Sequence, residues 1–531
     1  MLRFFNRQFA IIFIAGCAHA LSISWPFNTG LTLGQPVWWL QLLAMCLLAW
    51  QLDLAKTKRQ GAWVGWLFAT VMQVATWWWL FISLNRYGGL AAPLTIIAIV
   101  GLAAFLALYY AAVCAVFVRL APANRFGRAS LFAALWLLAE LARVALFTGF
   151  PWGEGGYAQL DGPFDGLAKI IGVHGLTFAA AILAAVIAGQ IGKPRWVSTG
   201  AIGVAVVLAA STSLALKAGS AGELSFSKTV ASPFTVTLLQ GNIAQDEKFQ
   251  PTGGIPDALA WYKSQLLAAT TSLVVTPETA IPLLPNRLPE GYLDALVNRF
   301  MKPAPGAAQT AALIGIPLGN SQQGYTNSAI ALKPSASNTL YQYDKHHLVP
   351  FGEFVHPLFK WFLAIVNIPL ADFNSGGLKQ PSLDWQGQRI APNICYEDLF
   401  GEELAASFID PATAPTIMVN ISNIAWFGNT IAIDQHLNIS RMRSLEFERP
   451  MVRATNTGAT AIIDHTGRVT HLLPRHTRGV LVGAVEGRSG ITPYAWWAAR
   501  FGLWPWWGLI FTIILIAACT RIDWARGRFD R

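Results

Sequence analysis

Seven apolar stretches follow one another in the first part of the chain, at about residues 9–25, 37–52, 62–84, 92–118, 129–148, 168–189 and 198–216, and an eighth closes it at about 501–519. Each is near the roughly 20 residues needed to cross bilayer hydrocarbon. A segment in hydrocarbon must satisfy its own backbone polar groups, so runs of this kind become helices. The expected architecture is therefore a polytopic α-helical membrane bundle of about eight spans with a long polar insertion before the last. Composition agrees: 54% of residues are hydrophobic and 12% charged, about half the usual charged share.

The charges between the spans set an orientation. Arg3 and Arg7 precede the first span; Lys56, Lys58 and Arg59 follow the second; Arg119, Arg125 and Arg128 follow the fourth. Lys193 and Arg195 follow the sixth, and Arg521, Arg526, Arg528 and Arg531 follow the eighth. The alternate loops hold few basic residues: none lies in 26–36, and only Arg86 lies near 86. Lys and Arg gather on the cytoplasmic side, so both termini are expected in the cytoplasm and the polar insertion outside. The net charge of +10, which would point to nucleic acid in a soluble protein, reads here as this asymmetry, and no nucleic-acid partner is expected. The domain reading is 1–216 with seven helices, 217–495 as an outer domain, and 496–531 as the last helix with a basic tail.

Three features of the bundle have two readings each. Ile14-Ala15-Gly16-Cys17 resembles a lipoprotein cleavage box. Apolar character continues past Cys17 through Ala18 and Leu21, which favours a plain first helix. Glu140 and Arg143 are three apart and share a helix face. Charges at that depth turn to a bundle interior or a cavity, so they form a structural ion pair or meet a substrate. Thr148-Gly149-Phe150-Pro151-Trp152-Gly153 is an outward-side break, either a lipid entrance or an interfacial turn.

From residue 234 the pattern changes to short β-branched runs between helical segments. Strands are expected at Phe234–Leu239, Ser272–Thr276, Ala311–Ile316, Ser328–Leu332, Arg389–Cys395, Thr416–Ser422 and Val452–Thr455. Helices are expected at about 256–269, 291–300, 398–408 and 432–448. Alternating strands and helices argue for a layered α/β domain.

Three strand ends carry reactive side chains. The run Val274-Val275-Thr276-Pro277 ends on Glu278, and Pro392-Asn393-Ile394 ends on Cys395, with Tyr396 and Glu397 following. Between them, residues 343–353 read as a polar loop containing Lys345, His346, His347 and Glu353. Taken singly these have ordinary explanations: a free Cys packs like a small hydrophobe, Lys345 serves as a surface residue, and Glu278 sits near a helix cap. No CxxC pair and no HExxH occur, so neither a zinc site nor a disulfide framework is supported, and no metal or cofactor is expected. Taken together they suffice for acyl transfer. A thiol of pKa about 8.5 needs a base, a pocketed carboxylate can serve as one, and a lysine ammonium can stabilise an oxyanion.

Pro277-Glu278, Tyr343-Asp344-Lys345 with Pro350-Phe351-Gly352-Glu353, and Cys395-Tyr396-Glu397 resemble the three signatures of the nitrilase superfamily. That resemblance implies an αββα sandwich with a Glu-Lys-Cys triad. Phe147 to Trp152, Gln240-Gly241-Asn242-Ile243, and Ser422-Asn423 followed by Ala425-Trp426-Phe427-Gly428 resemble the apolipoprotein N-acyltransferases of bacterial inner membranes. This second resemblance implies a multi-pass inner-membrane protein with a periplasmic active site. It implies Glu278 as general base, Lys345 at the oxyanion, and Cys395 as the residue that takes an acyl chain from a phospholipid. The acceptor it implies is the α-amino group of the diacylglyceryl-cysteine of an apolipoprotein. Glu353, Tyr396, Glu397 and Asn327 match supporting positions near the pocket. A monomer is the expected state.

The sequence departs from the pattern at Thr276, Phe249 and Ile424, where Trp, Trp and Asp are common. None touches the triad. Two other functions fit parts of the pattern: a membrane-anchored amidohydrolase with water as acceptor, and an inactive lipid-binding scaffold.

Overall fold

The computed structural model describes residues 2–191, 210–215, 225–230, 234–334, 340–355 and 372–529. The chain divides into two units, one of residues 1–80, 92–224 and 501–531, the other of residues 81–91 and 225–500.

In the first unit the apolar stretches form α1 (Leu2–Ile23), α2 (Trp38–Leu54), α3 (Lys58–Trp77), α4 (Ala92–Leu120), α5 (Arg125–Ala145) and α6 (Ala168–Ala188), with a C-terminal helix at Trp504–Phe529. Polar residues set the starts. Thr57 and Gln60 form a capping box before α3, and Asn124 accepts the Gly127 N–H at 2.6 Å before α5. Arg128 pairs with Asp53 at 2.6 Å. α5 stops where Phe147, Thr148 and Gly149 take positive φ, at the break expected from the sequence. Ile12, Leu48, Phe68, Trp136 and Ala180 belong to one buried cluster. A Cβ on Gly65 would lie 2.7 Å from the Tyr110 carbonyl, so α3 and α4 approach as closely as they do only because a glycine stands there.

Among the described residues, four helices are long and apolar enough to cross a membrane: Ala92–Leu120, Arg125–Thr148, Asp165–Ala188 and Trp504–Arg521. Arg7–Ile23 and Trp38–Leu54 are apolar but shorter. The third expected span differs from its helix. α3 begins on Lys58 and Arg59, carries Gln73, and gives way to a π-helical turn at Ile82–Tyr87. The seventh expected span lies mostly outside the described residues. Glu140 and Arg143 are both buried; Glu140 accepts the Gly155 N–H at 3.0 Å, and the Arg143 guanidinium lies 5.6 Å from the Trp77 ring centre.

The second unit holds fourteen described strands: β1 (Ser227–Thr229), β2 (Phe234–Gln240), β3 (Leu273–Val275), β4 (Ala311–Asn320), β5 (Gly324–Leu332), β6 (Tyr341–Asp344), β7 (Leu383–Trp385), β8 (Gln388–Ile394), β9 (Ile417–Ser422), β10 (Met451–Thr455), β11 (Ala461–Ile463), β12 (Val469–Leu472), β13 (Gly479–Val485) and β14 (Arg488–Gly490). One six-stranded sheet runs β13-β2-β3-β4-β5-β6 and the other β12-β11-β10-β9-β8-β7, while β1 pairs with β14. Val236, Leu238, Leu313, Ile394, Val419 and Ile421, drawn from both sheets, share one buried cluster, so the sheets pack face to face. The outer face of the first sheet packs on α7 (Gly254–Ala268) and α8 (Tyr292–Phe300). The second is covered by α9 (Gly401–Ala405), α10 (Ala432–Phe447) and α11 (Pro493–Phe501). This is the expected αββα order.

Two local expectations change. Tyr343 and Asp344 belong to strand β6, not to a loop, because residues 341–344 pair antiparallel with β5. The helix expected at about 398–408 is broken into a 3-10 turn at Cys395–Leu399, the short α9 and a second 3-10 turn at Ala406–Phe408. Phe400, at φ −102° and ψ 78°, interrupts it.

Candidate active site

The central strands β2 and β3 run parallel in one sheet and β8 and β9 in the other, so each pair releases its chain at one end. Open α/β sheets bind ligands beyond such carboxyl ends. β3 leads to Glu278, β8 to Cys395 and β9 to Asn423, while β6 ends just before Lys345. Residues far apart in sequence and on different sheets therefore meet.

Cys395 has φ 55°, left-handed backbone that a non-glycine residue adopts at a cost of about 1–3 kcal/mol. The sharp turn lifts the thiol off the strand. Two sets of buried groups hold it there. Glu397 accepts the Ile394 N–H at 2.5 Å and the His346 N–H at 2.6 Å, and takes the Tyr343 hydroxyl at 3.0 Å. One carboxylate thus ties the thiol turn to the Lys345 loop. On the other side, His436 Nε2 lies 3.2 Å from the Cys395 carbonyl and 2.9 Å from Asp398, which also meets Ser440 and Arg453. All four of these side chains are buried.

Lys345 is 1% exposed. Its ammonium lies 2.8 Å from Glu353 Oε2 and 3.3 Å from Glu278 Oε1. Asn327, on β5, donates to Glu278 Oε1 and to Glu353 Oε1, each at 2.7 Å. Asn423 donates its main-chain N–H to Glu278 Oε2 at 2.9 Å. Burial opposes ionisation of Glu278, but Lys345, Lys248, Asn327 and Asn423 outweigh it and hold the carboxyl below its ordinary value. Burial would lower the Lys345 pKa, yet Glu353 and Glu278 drive it upward. The Cys395 thiol is pushed up to about 12, by burial first and by the Glu278 charge second, with Lys345 offsetting part. A thiol in this state does not ionise unaided at neutral pH, and a carboxylate held ionised beside it is the group able to take its proton.

The structure brings together Glu278, Lys345, Cys395, Glu353, Asn327 and Glu397. Tyr396 packs edge-on against Phe400 with ring centres 5.3 Å apart. His347 stacks on Phe400 and bonds Glu403 at 3.0 Å, and His346 Nδ1 lies 2.8 Å from the Gly376 carbonyl. No group of three metal-ligating side chains occurs among the described residues.

Two site residues escaped the sequence reading. Lys248 is buried and donates to the Glu278 carbonyl at 3.1 Å, and Gln245 accepts from the Asn423 side chain at 2.8 Å. The available signal was positional: both follow β2, a central strand that opens at the same end as β3.

A family model described as the apolipoprotein N-acyltransferase N-terminal domain matches residues 16–186, and one described as carbon-nitrogen hydrolase matches residues 235–493. The chain is 55% identical over 519 residues to the apolipoprotein N-acyltransferase of Verminephrobacter eiseniae, covering 92% of each protein. It is 44% identical over 460 residues to that of Ralstonia nicotianae, covering 86% of this chain and 85% of that one. With the Bordetella bronchiseptica protein of the same name it shares 40% identity over 563 residues, covering 99% and 98%.

Proposed function

The chain belongs to the apolipoprotein N-acyltransferase family, and from that premise we propose that the acyl group it transfers is carried on Cys395 as a thioester. It is a membrane enzyme that N-acylates lipoproteins. The observation that carries the thioester reading is the meeting of a strained, partly buried Cys395 with an ionised Glu278 and the Lys345 ammonium.

In the first half-reaction Glu278 takes the Sγ proton, and the sulfur attacks an ester carbonyl of a membrane phospholipid. The carbonyl oxygen gains the negative charge, and the Lys345 ammonium stabilises it. The C–O bond breaks, Glu278 returns its proton to the departing alkoxide, and a lysophospholipid leaves. In the second half-reaction the α-amino nitrogen of the diacylglyceryl-cysteine attacks the thioester carbonyl. Glu278 takes a proton from that nitrogen, the C–S bond breaks, and the proton returns to sulfur. The sequence is ping-pong, with the thioester between donor release and acceptor entry. Glu353 and Asn327 hold Lys345 and Glu278 in place, and Glu397 holds the thiol turn.

The membrane arrangement proposed with it has eight spans. Residues 1–216 supply seven, 217–495 form a periplasmic catalytic domain, and 496–531 supply the last span with a cytoplasmic tail. The basic loops support this orientation, with both termini inside. Lipid chains kept in apolar surroundings avoid about 0.8 kcal/mol per exposed CH₂, which favours a membrane-held site. The enzyme acts as a monomer in this reading.

Intact-protein mass spectrometry with phospholipid, wild type beside Cys395→Ala, tests the thioester. The expected result is a fatty-acyl increment on the wild type alone, labile to hydroxylamine and discharged by a diacylated lipopeptide. Discharge by water alone would favour the hydrolase, and activity surviving in Cys395→Ala would sink the mechanism.

A further inference from the structure

Lys248 is a second buried cation in the site, only 3% exposed. Removing an ammonium from water costs several kcal/mol unless charges and hydrogen bonds compensate. Its visible bond is to the main-chain carbonyl of Glu278, at 3.1 Å, and its charge interacts with Glu278 and Cys395. The ring of Phe249 lies 5.8 Å from its Nζ.

The loop that presents it is firmly built. Glu247 and Lys248 both donate their N–H groups to the Ala244 carbonyl, at 3.1 and 2.9 Å. Gln245 accepts from Asn423 at 2.8 Å, and Asn456 bonds both the Asn423 side chain, at 3.0 Å, and the Ile243 carbonyl, at 2.8 Å. The residue whose N–H binds Glu278 is thus tied to the loop that carries Lys248.

The charges around the base are unequal without it. Glu278 faces Lys345, the Asn327 amide and the Asn423 N–H, and Lys345 is shared with Glu353. Two carboxylates against one ammonium leave an excess negative charge in a buried site, and Lys248 balances it. When the Cys395 proton moves to Glu278, the negative charge passes to sulfur and then to the carbonyl oxygen. Lys248 neighbours both ends of that transfer.

We propose that Lys248 is a positioning residue for acyl transfer, whose ammonium acts through Glu278 to keep that carboxyl ionised in the resting enzyme. This rests on the reading of Glu278 as base and Cys395 as nucleophile. Burial lowers the Lys248 pKa to about 8, against the raising effect of Glu278 and Cys395, so it is still charged at neutral pH.

The test is the rate of thioester formation on full-length enzyme in detergent with phospholipid, followed by intact mass from about pH 3 to 9. Wild type is compared with K248M, K248Q and K248R. An opposite charge within a few ångströms shifts a carboxyl pKa by about 1 unit or more. Both neutral variants should therefore move the acid limb up by about one pH unit, so that the rate falls roughly tenfold on the acid side while the plateau is kept. K248R should keep the wild-type limb. A rate that falls equally at every pH, or a limb that moves as far in K248R, would overturn the inference while leaving the thioester intact. Absence of the wild-type thioester would remove the base–nucleophile reading and this inference with it. If both neutral variants unfold, K248R decides: its acid limb should coincide with that of the wild type, and a displaced limb would count against the proposal.

Discussion

The Asn327 side-chain amide donates to Oε1 of Glu278 at 2.7 Å, and the same nitrogen reaches Glu353. One neutral group thus separates two carboxylates and favours the charged form of the base. A hydrogen bond to a charged group contributes about 1.5–3 kcal/mol, and its loss leaves like charges facing across a gap. Asn327→Ala should slow thioester formation by roughly 10- to 100-fold and move its acid limb upward. Asn327→Asp should be worse, since it adds a third carboxylate. Single-turnover acylation across pH checks both.

The thiol offers a direct pH test. A free cysteine has ionised almost fully above about pH 9.5, and its alkylation rate then levels off. Cys395, pushed up to about 12, stays protonated through that range in the folded enzyme. Its alkylation by iodoacetamide should keep rising with pH beyond the level at which a free thiol saturates. Peptide mapping separates it from Cys17, Cys46, Cys114 and Cys519. A plateau near pH 9 would contradict the burial and charge argument.

Asp398 anchors the floor beneath the thiol turn. Burial opposes its ionisation, but His436, Arg453 and Ser440 hold its carboxyl below the ordinary value. The sign follows: this group contributes stability above its unfolded pKa of about 4, and the contribution is lost as pH falls through the folded value. Removing one partner of a buried pair costs about 3–5 kcal/mol, because Arg453 keeps its charge without compensation. Asp398→Asn should lower the melting temperature at neutral pH, with a smaller difference from wild type in acid. Thermal unfolding of the detergent-solubilised enzyme at both pH values measures it.

The strands that deliver Glu278 and Asn423 were legible because they are buried on both faces. Such strands read as unbroken apolar runs, and Pro277 or Asn423 marks their ends. β7, β11, β12 and β14 were not legible, since pieces of three or four residues carry too little pattern. β6 was hidden in the same way: Tyr341–Asp344 is mostly polar and becomes a strand only by pairing with β5. Lys345 could be picked out by its motif, whereas its burial between two carboxylates could not. Lys248 had no local signal, as it lies between Glu247 and Phe249 in a polar stretch and is buried only when the end of β2 meets the end of β3.

Gly315, on β4, is the position where a small change should reach the chemistry without touching it. A Cβ there would stand 2.2 Å from the Pro277 carbonyl and 3.0 Å from Glu278 Cα, so the turn carrying the base rests on bare backbone. Gly315 also accepts the Ile281 N–H at 3.2 Å and donates its own N–H to the Thr276 hydroxyl at 3.0 Å. β4 lies in the middle of its sheet, so it cannot give way, and the Glu278 turn must move instead. A displacement of about 1 Å in a reacting group costs on the order of 100-fold in rate. Gly315→Ala should therefore lower thioester formation by about that factor while the far-ultraviolet spectrum stays that of the wild type. A wild-type rate would show that the turn yields elsewhere and that the position of Glu278 is not set by this contact. A lost spectrum would move the effect from the site to the sheet.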